Sequence, residues 1–515
     1  MFTSGSTSGR SVPCNCGGNT DGARRGFVLC RTTVERACVA DPIAVIRAPC
    51  TARFLVISTT KAGDHGVGRN RRGCRFRHSM GFGVGNATAN LTFVAMRTFD
   101  IPEAYRSPVI GKVKAIRKLG DPRKRDFAPS LLDFGSVKFV LPRHFGFCFG
   151  VENAIEIAYR AVAENPGKRL WLLSQMIHNP EVNADLESQG IGFLMDTEGG
   201  VITPFESLKS DDVVIVPAFG TTLELEAKLE AIGVDIQKYN TTCPFVEKVW
   251  KRASQLGEKE YSVVIHGKPS HEETRATFSH SSSTAKSLVI QDMKEARVLA
   301  EFIRGDRDWG EFDAHFNGRA SAGFQVPRDL ERFGVVNQTT MLASDTQAIA
   351  DHLKSALEQR DGGNSERFAN TRDTLCYATL DNQTATTGAL ESVEADIDFA
   401  MVVGGYNSSN TSHLVELCEE RLSTWYVRGA SEFREDGALG HFNLKSGREE
   451  VSDTWWSESV QEGKVPTILL TSGASCPDSA VDHVLQKILE RAGGGRAVDE
   501  VLQEFNKAHS TLGNG

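Results

Sequence analysis

From Val137 onward one pattern recurs: a short apolar run, a small polar turn, then an amphipathic stretch of helical period. It is found at Cys148, Gly220, Cys243, Cys376, Gly405 and Gly473. Alternation of this kind predicts α/β architecture with parallel sheets. In open α/β sheets, ligands bind beyond the carboxyl ends of the strands, where such turns gather. Several equivalent turns therefore imply repeated units facing one central site. The pattern is clearest at its start. Val137 to Leu141 reads as a buried strand, and Val151 to Val162 as a helix with Val151, Ile155, Ala158 and Val162 on one face. Further strands are expected at 171–173, 213–216, 261–265, 335–336, 400–403 and 467–470, with a helix from Leu223 to Ile232. Residues 304–332 and 430–465 break the rhythm and read as insertions.

The chain's 515 residues leave room for two to four domains. Charge divides them sharply. Residues 1–99 hold 14 Lys and Arg against 4 Asp and Glu, whereas the remainder holds 44 against 62. The overall net charge of -8 gives no reason to expect a nucleic-acid partner. No apolar run approaches the roughly 20 residues of a membrane span, so no membrane partner is expected. Residues 1–99 read as a basic disordered leader, with a transit-like extension as the alternative. The location follows from that choice: cytoplasmic in a bacterium, plastid stroma if the leader is a transit peptide. Gly81-Phe-Gly83-Val-Gly85 and Cys14-Asn-Cys16 lie in this leader, and neither makes a site. Eleven cysteines, an odd number at wide spacing without a secretory segment, argue for a reducing compartment. The expected division is a connector at 100–135, α/β lobes at 136–242, 243–375 and 376–478, and a C-terminal helix and tail at 479–515.

Three thiols share one local setting. Cys148 sits between Gly146 and Gly150 at the start of the first helix. Cys243 precedes Pro244, a residue suited to the first helical position. Cys376 lies between a short extended run and an expected helical stretch. The positive end of a helix dipole favours thiolate, the form that binds metals. Each thiol alone reads as an inert buried cysteine; three in like turns point to a metal centre. Spacing leaves both zinc and an iron–sulfur cluster open. Cys418, inside a helix, reads as core, and Cys476 is not expected to join the set.

A second group suits an anion. His178 follows a strand, and His271 and Glu273 lie just past the strand ending at Ile265. Ser408, Ser409 and Asn410 precede a helix, and Ser475 lies in Thr471-Ser-Gly-Ala-Ser-Cys-Pro-Asp478. Hydroxyls, amides and helix N-termini cradle phosphates, although Ser and Asn also serve simply as helix caps. His and a carboxylate two residues apart can relay protons. The His271-Glu272 pair is no zinc-protease motif, since Arg275 stands in place of the second His.

These motifs, in order, are Gly146-Phe-Cys148-x-Gly150, His178-Asn179, Thr242-Cys243-Pro244, His271-x-Glu273, Gln338-Thr339-Thr340, Cys376-x-Ala-Thr379, Asn407-Ser-Ser-Asn410 and Ser472-Gly-Ala-Ser475-x-Pro-Asp478. Together they closely resemble the 4-hydroxy-3-methylbut-2-enyl diphosphate reductase family, which acts last in the methylerythritol phosphate route to isoprenoids. The resemblance implies three similar α/β lobes around a [4Fe-4S] cluster held by Cys148, Cys243 and Cys376. It implies reductive removal of the substrate's hydroxyl as water, giving isopentenyl and dimethylallyl diphosphates, with one iron acting as Lewis acid on the C4 oxygen. By the same matching, His178, His271, Ser408, Ser409, Asn410 and Ser475 bind the diphosphate. Glu273 delivers protons, Thr339 helps hold the substrate oxygen, and Thr379 supports the cluster region. The implied electron source is a one-electron donor such as ferredoxin or flavodoxin.

Two positions depart from the family pattern. Phe219 stands where many members have His, and Asn382 where an Arg often precedes Gln383. A different class, a zinc-stabilised phosphate-binding module without redox activity, is the alternative. A thiol-nucleophile enzyme using Cys148 and His178 is a third reading.

Overall fold

The computed structural model describes residues 99–363, 366–369, 374–392 and 396–510. The leader, its glycine stretch and Cys14-Asn-Cys16 lie outside these.

The described chain opens with α1 (Ile110–Gly120), β1 (Ser130–Asp133), β2 (Lys138–Leu141) and α2 (Phe149–Glu164). Then come β3 (Leu170–Leu172), α3 (Pro180–Ser188), β4 (Ile191–Phe193), β5 (Val213–Ile215) and α4 (Leu223–Ile232). A second stretch runs α5 (Pro244–Gly257), β6 (Ser262–His266), α6 (Glu272–Ser282), β7 (Ser287–Ile290) and α7 (Met293–Arg304). It continues with α8 (Phe312–Phe316), β8 (Phe333–Asn337), α9 (Ala343–Arg360) and β9 (Phe368–Ala369). The last stretch holds α10 (Tyr377–Glu391), β10 (Phe399–Val403), α11 (Ser409–Glu419), β11 (Ser423–Val427), β12 (Leu439–Asn443) and β13 (Arg448–Ser452). It ends with α12 (Trp455–Ser459), β14 (Thr467–Ser472), α13 (Asp478–Arg491) and α14 (Val498–Ser510).

The architecture is mixed α/β. Three sheets are built mainly from parallel strands, in the orders β4-β3-β5, β7-β6-β8-β9 and β1-β2-β14-β10-β11. β1 is an antiparallel edge on the last sheet, and β12–β13 form a separate antiparallel hairpin. The central strands are mostly apolar because helices cover both faces, the rule for parallel sheets: β6, β8, β10 and β14 are buried at every residue.

The division of the chain differs from the sequence expectation at its start. Residues 100–135 are no connector, since they supply α1 and β1. β2, expected to open the first lobe, pairs instead with β14, Lys138 opposite Thr467, in the sheet of the third. The reason is packing. Phe139 and Leu141 interdigitate with Phe399, Ile468, Leu470 and Leu485 in one core, which α1 and α14 close with Val113 and Phe505. Of the two insertions, 304–332 adds an aromatic cluster in which Trp309 and Phe312 pack on Phe302, with ring centres 5.3 and 5.6 Å away. The other, 430–465, supplies the β12–β13 hairpin and the buried Trp455. Among the described residues no helix is long and apolar enough to cross a membrane.

Candidate active site

The three cysteines occupy one structural role. Cys148 is the N-cap of α2, Cys243 of α5 and Cys376 of α10, each with extended backbone leading into its helix. The turns are tied to neighbouring loops: the Cys148 amide donates to Ala474 O (3.2 Å) and that of Cys243 to Ala218 O (2.9 Å). The thiols face one another. A Cβ added to Gly150 would stand 2.5 Å from Cys243 Sγ and 3.9 Å from Cys148 Sγ. Only glycine leaves room for both sulfurs there.

The expectation of thiolates from helix dipoles is corrected. Burial, reinforced by the neighbouring thiols of Cys376 and Cys243, pushes Cys148 up to about 12. Burial likewise pushes Cys243 up to about 12, against the lowering effect of the Phe245 amide. Cys376 is raised by burial too, although the Thr379 amide and hydroxyl oppose it. Helix N-termini offset burial only in part, so without a cation among them the thiols keep their protons. Cys418 and Cys476 are core residues, as expected.

Beside the thiols lies a buried polar cluster drawn from all three sheets. His271 caps α6, its Nδ1 accepting the Glu273 amide hydrogen at 3.1 Å. Burial, then the nearby His178, Lys268 and Arg275, hold His271 well below the usual imidazole range. A neutral ring accepting at Nδ1 carries its proton on Nε2. That Nε2 is buried and has no hydrogen-bond partner among the described residues. Glu273 is buried, and its carboxylate accepts the Thr339 amide hydrogen and the Thr339 hydroxyl. Burial outweighs these bonds and pushes its carboxyl up to about 7.

His178 sits before Asn179, the N-cap of α3, with its Nε2 3.0 Å from Glu272 Oε2. Phe219, the departure noted in sequence, packs on the His178 ring at 4.3 Å and edge-on to His271 at 5.5 Å. The Phe219 ring thus walls the two imidazoles. Ser475 Oγ donates to His178 O (3.1 Å), and a Cβ at Gly405 would stand 2.5 Å from that carbonyl oxygen. Ser408 caps α11. Ser409 Oγ accepts from Gln338 Nε2 at 3.1 Å, and Asn410 Oδ1 accepts from the Ala474 amide at 2.7 Å. The Asn410 Nδ2 is buried without a partner among the described residues.

Every residue expected in the site therefore belongs to one connected region. Glu272 and Gln338 were not singled out in the sequence. Gln338 lies within a quoted motif, but the bonds its side chain makes to Lys268, Thr274, Thr340 and Ser409 have no local signal. The N-termini of α3, α6 and α11 carry these groups, and their dipoles favour an anion. Asn382, the other departure, is buried on α10 with its Nδ2 unpartnered among the described residues.

Fold and site define a mixed α/β protein in which three clustered thiols adjoin a set of donors suited to an anion. Comparisons with known proteins carry this further. The model of the LytB protein family matches residues 139–489. A 4-hydroxy-3-methylbut-2-enyl diphosphate reductase of Synechococcus sp. (strain WH7803) is 36% identical over 393 residues, 76% of this chain and 91% of that protein. The reductase of the same name from Gloeobacter violaceus is 38% identical over 368 residues, 70% of this chain and 85% of that one. A solved (E)-4-hydroxy-3-methyl-but-2-enyl diphosphate reductase has 22% identity and a TM-score of 0.41, covering 68% of this chain and 99% of that one. The chain belongs to the LytB family.

Proposed function

We propose that this chain reduces 4-hydroxy-3-methylbut-2-enyl diphosphate to isopentenyl and dimethylallyl diphosphates, the closing reaction of the methylerythritol phosphate route to isoprenoids. Its family and the names of its relatives support the activity. The observation that carries the site is the convergence of Cys148, Cys243 and Cys376 beside Glu273, whose charge is felt at both Cys243 and Cys376. The reaction takes up two electrons and two protons. The allylic C–O bond breaks, the hydroxyl leaves as water, and a C–H bond forms.

Cys148, Cys243 and Cys376 would hold a [4Fe-4S] cluster at the centre of the three α/β lobes. The fit rests on three thiols that cap three helix N-termini, those of Cys148 and Cys243 flanking Gly150 and that of Cys376 close enough to act on both. Among the described residues no three Cys, His, Asp or Glu gather closely enough to hold one ion. A cubane instead distributes its thiolates over separate irons. When bound, such a cluster supplies single electrons and one iron open to the substrate as a Lewis acid.

The chain's own groups do the rest. His271 Nε2 and Asn410 Nδ2 are donors without protein partners among the described residues, available to bond diphosphate oxygens. His178, Ser408, Ser409 and Ser475 complete that cradle. Glu273, held near neutrality, is poised to give up a proton at physiological pH. The Thr339 hydroxyl, bonded to its carboxylate, links it to the substrate oxygen. Thr379 braces Cys376. The electrons come from a one-electron carrier such as a ferredoxin or flavodoxin.

Anaerobic turnover of the hydroxybutenyl diphosphate with dithionite-reduced methyl viologen tests the reading. Reconstituted protein is expected to be brown and to yield both products. Each of Cys148→Ser, Cys243→Ser and Cys376→Ser should lose most of the activity. Colourless protein with stoichiometric zinc and no turnover would favour the phosphate-binding module instead. Retained activity in Cys376→Ser without metal would favour a thiol nucleophile.

A further inference from the structure

The reading above leaves unused the most basic stretch of the described chain. Residues 112–125, Lys-Val-Lys-Ala-Ile-Arg-Lys-Leu-Gly-Asp-Pro-Arg-Lys-Arg, hold seven cations and one carboxylate, in a chain that is acidic beyond residue 99. Three of the cations are already paired: Lys112 with Asp499, Lys114 with Asp478 and Arg117 with Asp126. Lys118, Arg123, Lys124 and Arg125 are exposed. None of these four has an ion-pair partner among the described residues.

This stretch lies against the cysteine corners. Lys114 Nζ donates to Phe145 O at 2.8 Å, three residues before Cys148. Glu152, one turn beyond Cys148, lies in the field of Lys114, Lys118 and Lys124. The Lys124 carbonyl meets His144 Nε2 at 3.3 Å, and His144 Nδ1 stands 3.7 Å from Asp381 on α10, the helix that Cys376 caps. The same corners carry exposed rings. Phe149, directly after Cys148, is 46% exposed, and Tyr377, directly after Cys376, is 55% exposed. Phe245, two residues after Cys243, stands edge-on to Tyr377 at 6.1 Å, and Lys248 Nζ lies 5.3 Å from the Tyr377 ring. Exposed aromatics framed by unpaired cations are the composition of a protein-docking surface.

We propose that this face, with Phe149, Phe245 and Tyr377 at its centre and Lys118, Arg123, Lys124, Arg125 and Lys248 at its rim, docks an acidic one-electron carrier protein. The inference rests on the reductase reading, which requires single electrons to reach the thiol-held centre. Each encounter oxidises one reduced carrier and delivers one electron, and two encounters complete a turnover. Charge complementarity selects the occupant: on an otherwise acidic molecule, this rim attracts an acidic surface and steers its approach. The rings beside Cys148, Cys243 and Cys376 set the contact next to the residues that would hold the electron-accepting cluster.

The test compares two electron sources on the full iron-loaded protein, wild type and the triple variant Arg123→Glu, Lys124→Glu, Arg125→Glu. With reduced acidic plant-type ferredoxin, the apparent KM should rise about tenfold or more in the variant. With methyl viologen the two proteins should turn over equally. Calorimetric titration with oxidised ferredoxin, which needs no turnover, should show the same loss of affinity. It should also show wild-type binding weakening as salt rises from ~50 to ~300 mM, where screening shortens the reach of charge. Equal ferredoxin affinity in the two proteins, or an equal loss with both donors, would overturn the docking face. Absence of wild-type turnover with methyl viologen would overturn the reductase reading, while the titration still decides the docking.

Discussion

Glu273 shows how one residue is set by opposing effects. Its carboxylate accepts two bonds from Thr339, yet burial prevails and the carboxyl titrates near 7. If its proton is used in turnover, activity should fall as pH rises through about 7, and Glu273→Gln should abolish turnover while sparing cluster incorporation. The same shift has a stability sign. A carboxyl raised above its unfolded value favours folding most below the unfolded pKa and loses that contribution as pH rises through the folded one. The metal-free protein should therefore lose Tm between about pH 5 and pH 8. Glu273→Gln should flatten that limb in a thermal melt. Gly150→Ala tests the sulfur pocket: its methyl meets Cys243 Sγ, so iron incorporation should drop sharply with the far-ultraviolet circular dichroism unchanged. The cysteines were legible in the sequence because glycine and proline mark their turns. Their protonation was not, because burial is decided by residues hundreds of positions away. Glu272 stayed hidden for the same reason, since its partner is His178 in another sheet.

At the scale of elements, the pattern of strand, turn and helix was read from periodicity and held well. The expected helix from Leu223 to Ile232 matches α4, and the expected buried strands correspond to β3, β5, β6, β8, β10 and β14 within a residue or two at most ends. Sheet membership was not readable, because a four-residue apolar strand does not announce its neighbour. β2 is the instructive case. Phe139 is fully buried between the third sheet and its helices, so Phe139→Ala should destabilise the protein by about 3–5 kcal/mol, measured by urea unfolding. An equal midpoint would mean that β2 is peripheral. The segment before it was misread for a related reason. Its charges suggested a polar connector, yet Val109, Ile110 and Val113 at the start of α1 bury against the third core, Arg117 is buried as well, and Lys112 and Lys118 face solvent.

For the whole molecule, the proposed ligands join three helix starts that lie far apart in the chain. Cys148 follows a strand of one sheet and opens a helix packed on another, and Cys243 and Cys376 open helices elsewhere in the fold. A cluster bound only by the folded arrangement stabilises it by linkage. Anaerobic reconstitution should accordingly raise Tm, and oxidative loss of iron should lower it, in a calorimetric scan. An unchanged Tm would show that the three corners are held rigidly without it.

β2 also sets a schedule for biosynthesis. The strand that leads into the Cys148 corner pairs with β14, near the far end of the chain. Its edge neighbour β1 is at hand at once, but its parallel partner β14 is synthesised only after the Cys243 and Cys376 corners, and the Cys148 amide likewise awaits the Ala474 carbonyl. The Cys148 corner is therefore completed only after the Cys243 and Cys376 corners have been synthesised. Iron delivery to a nascent chain would find one corner of its site unbuilt.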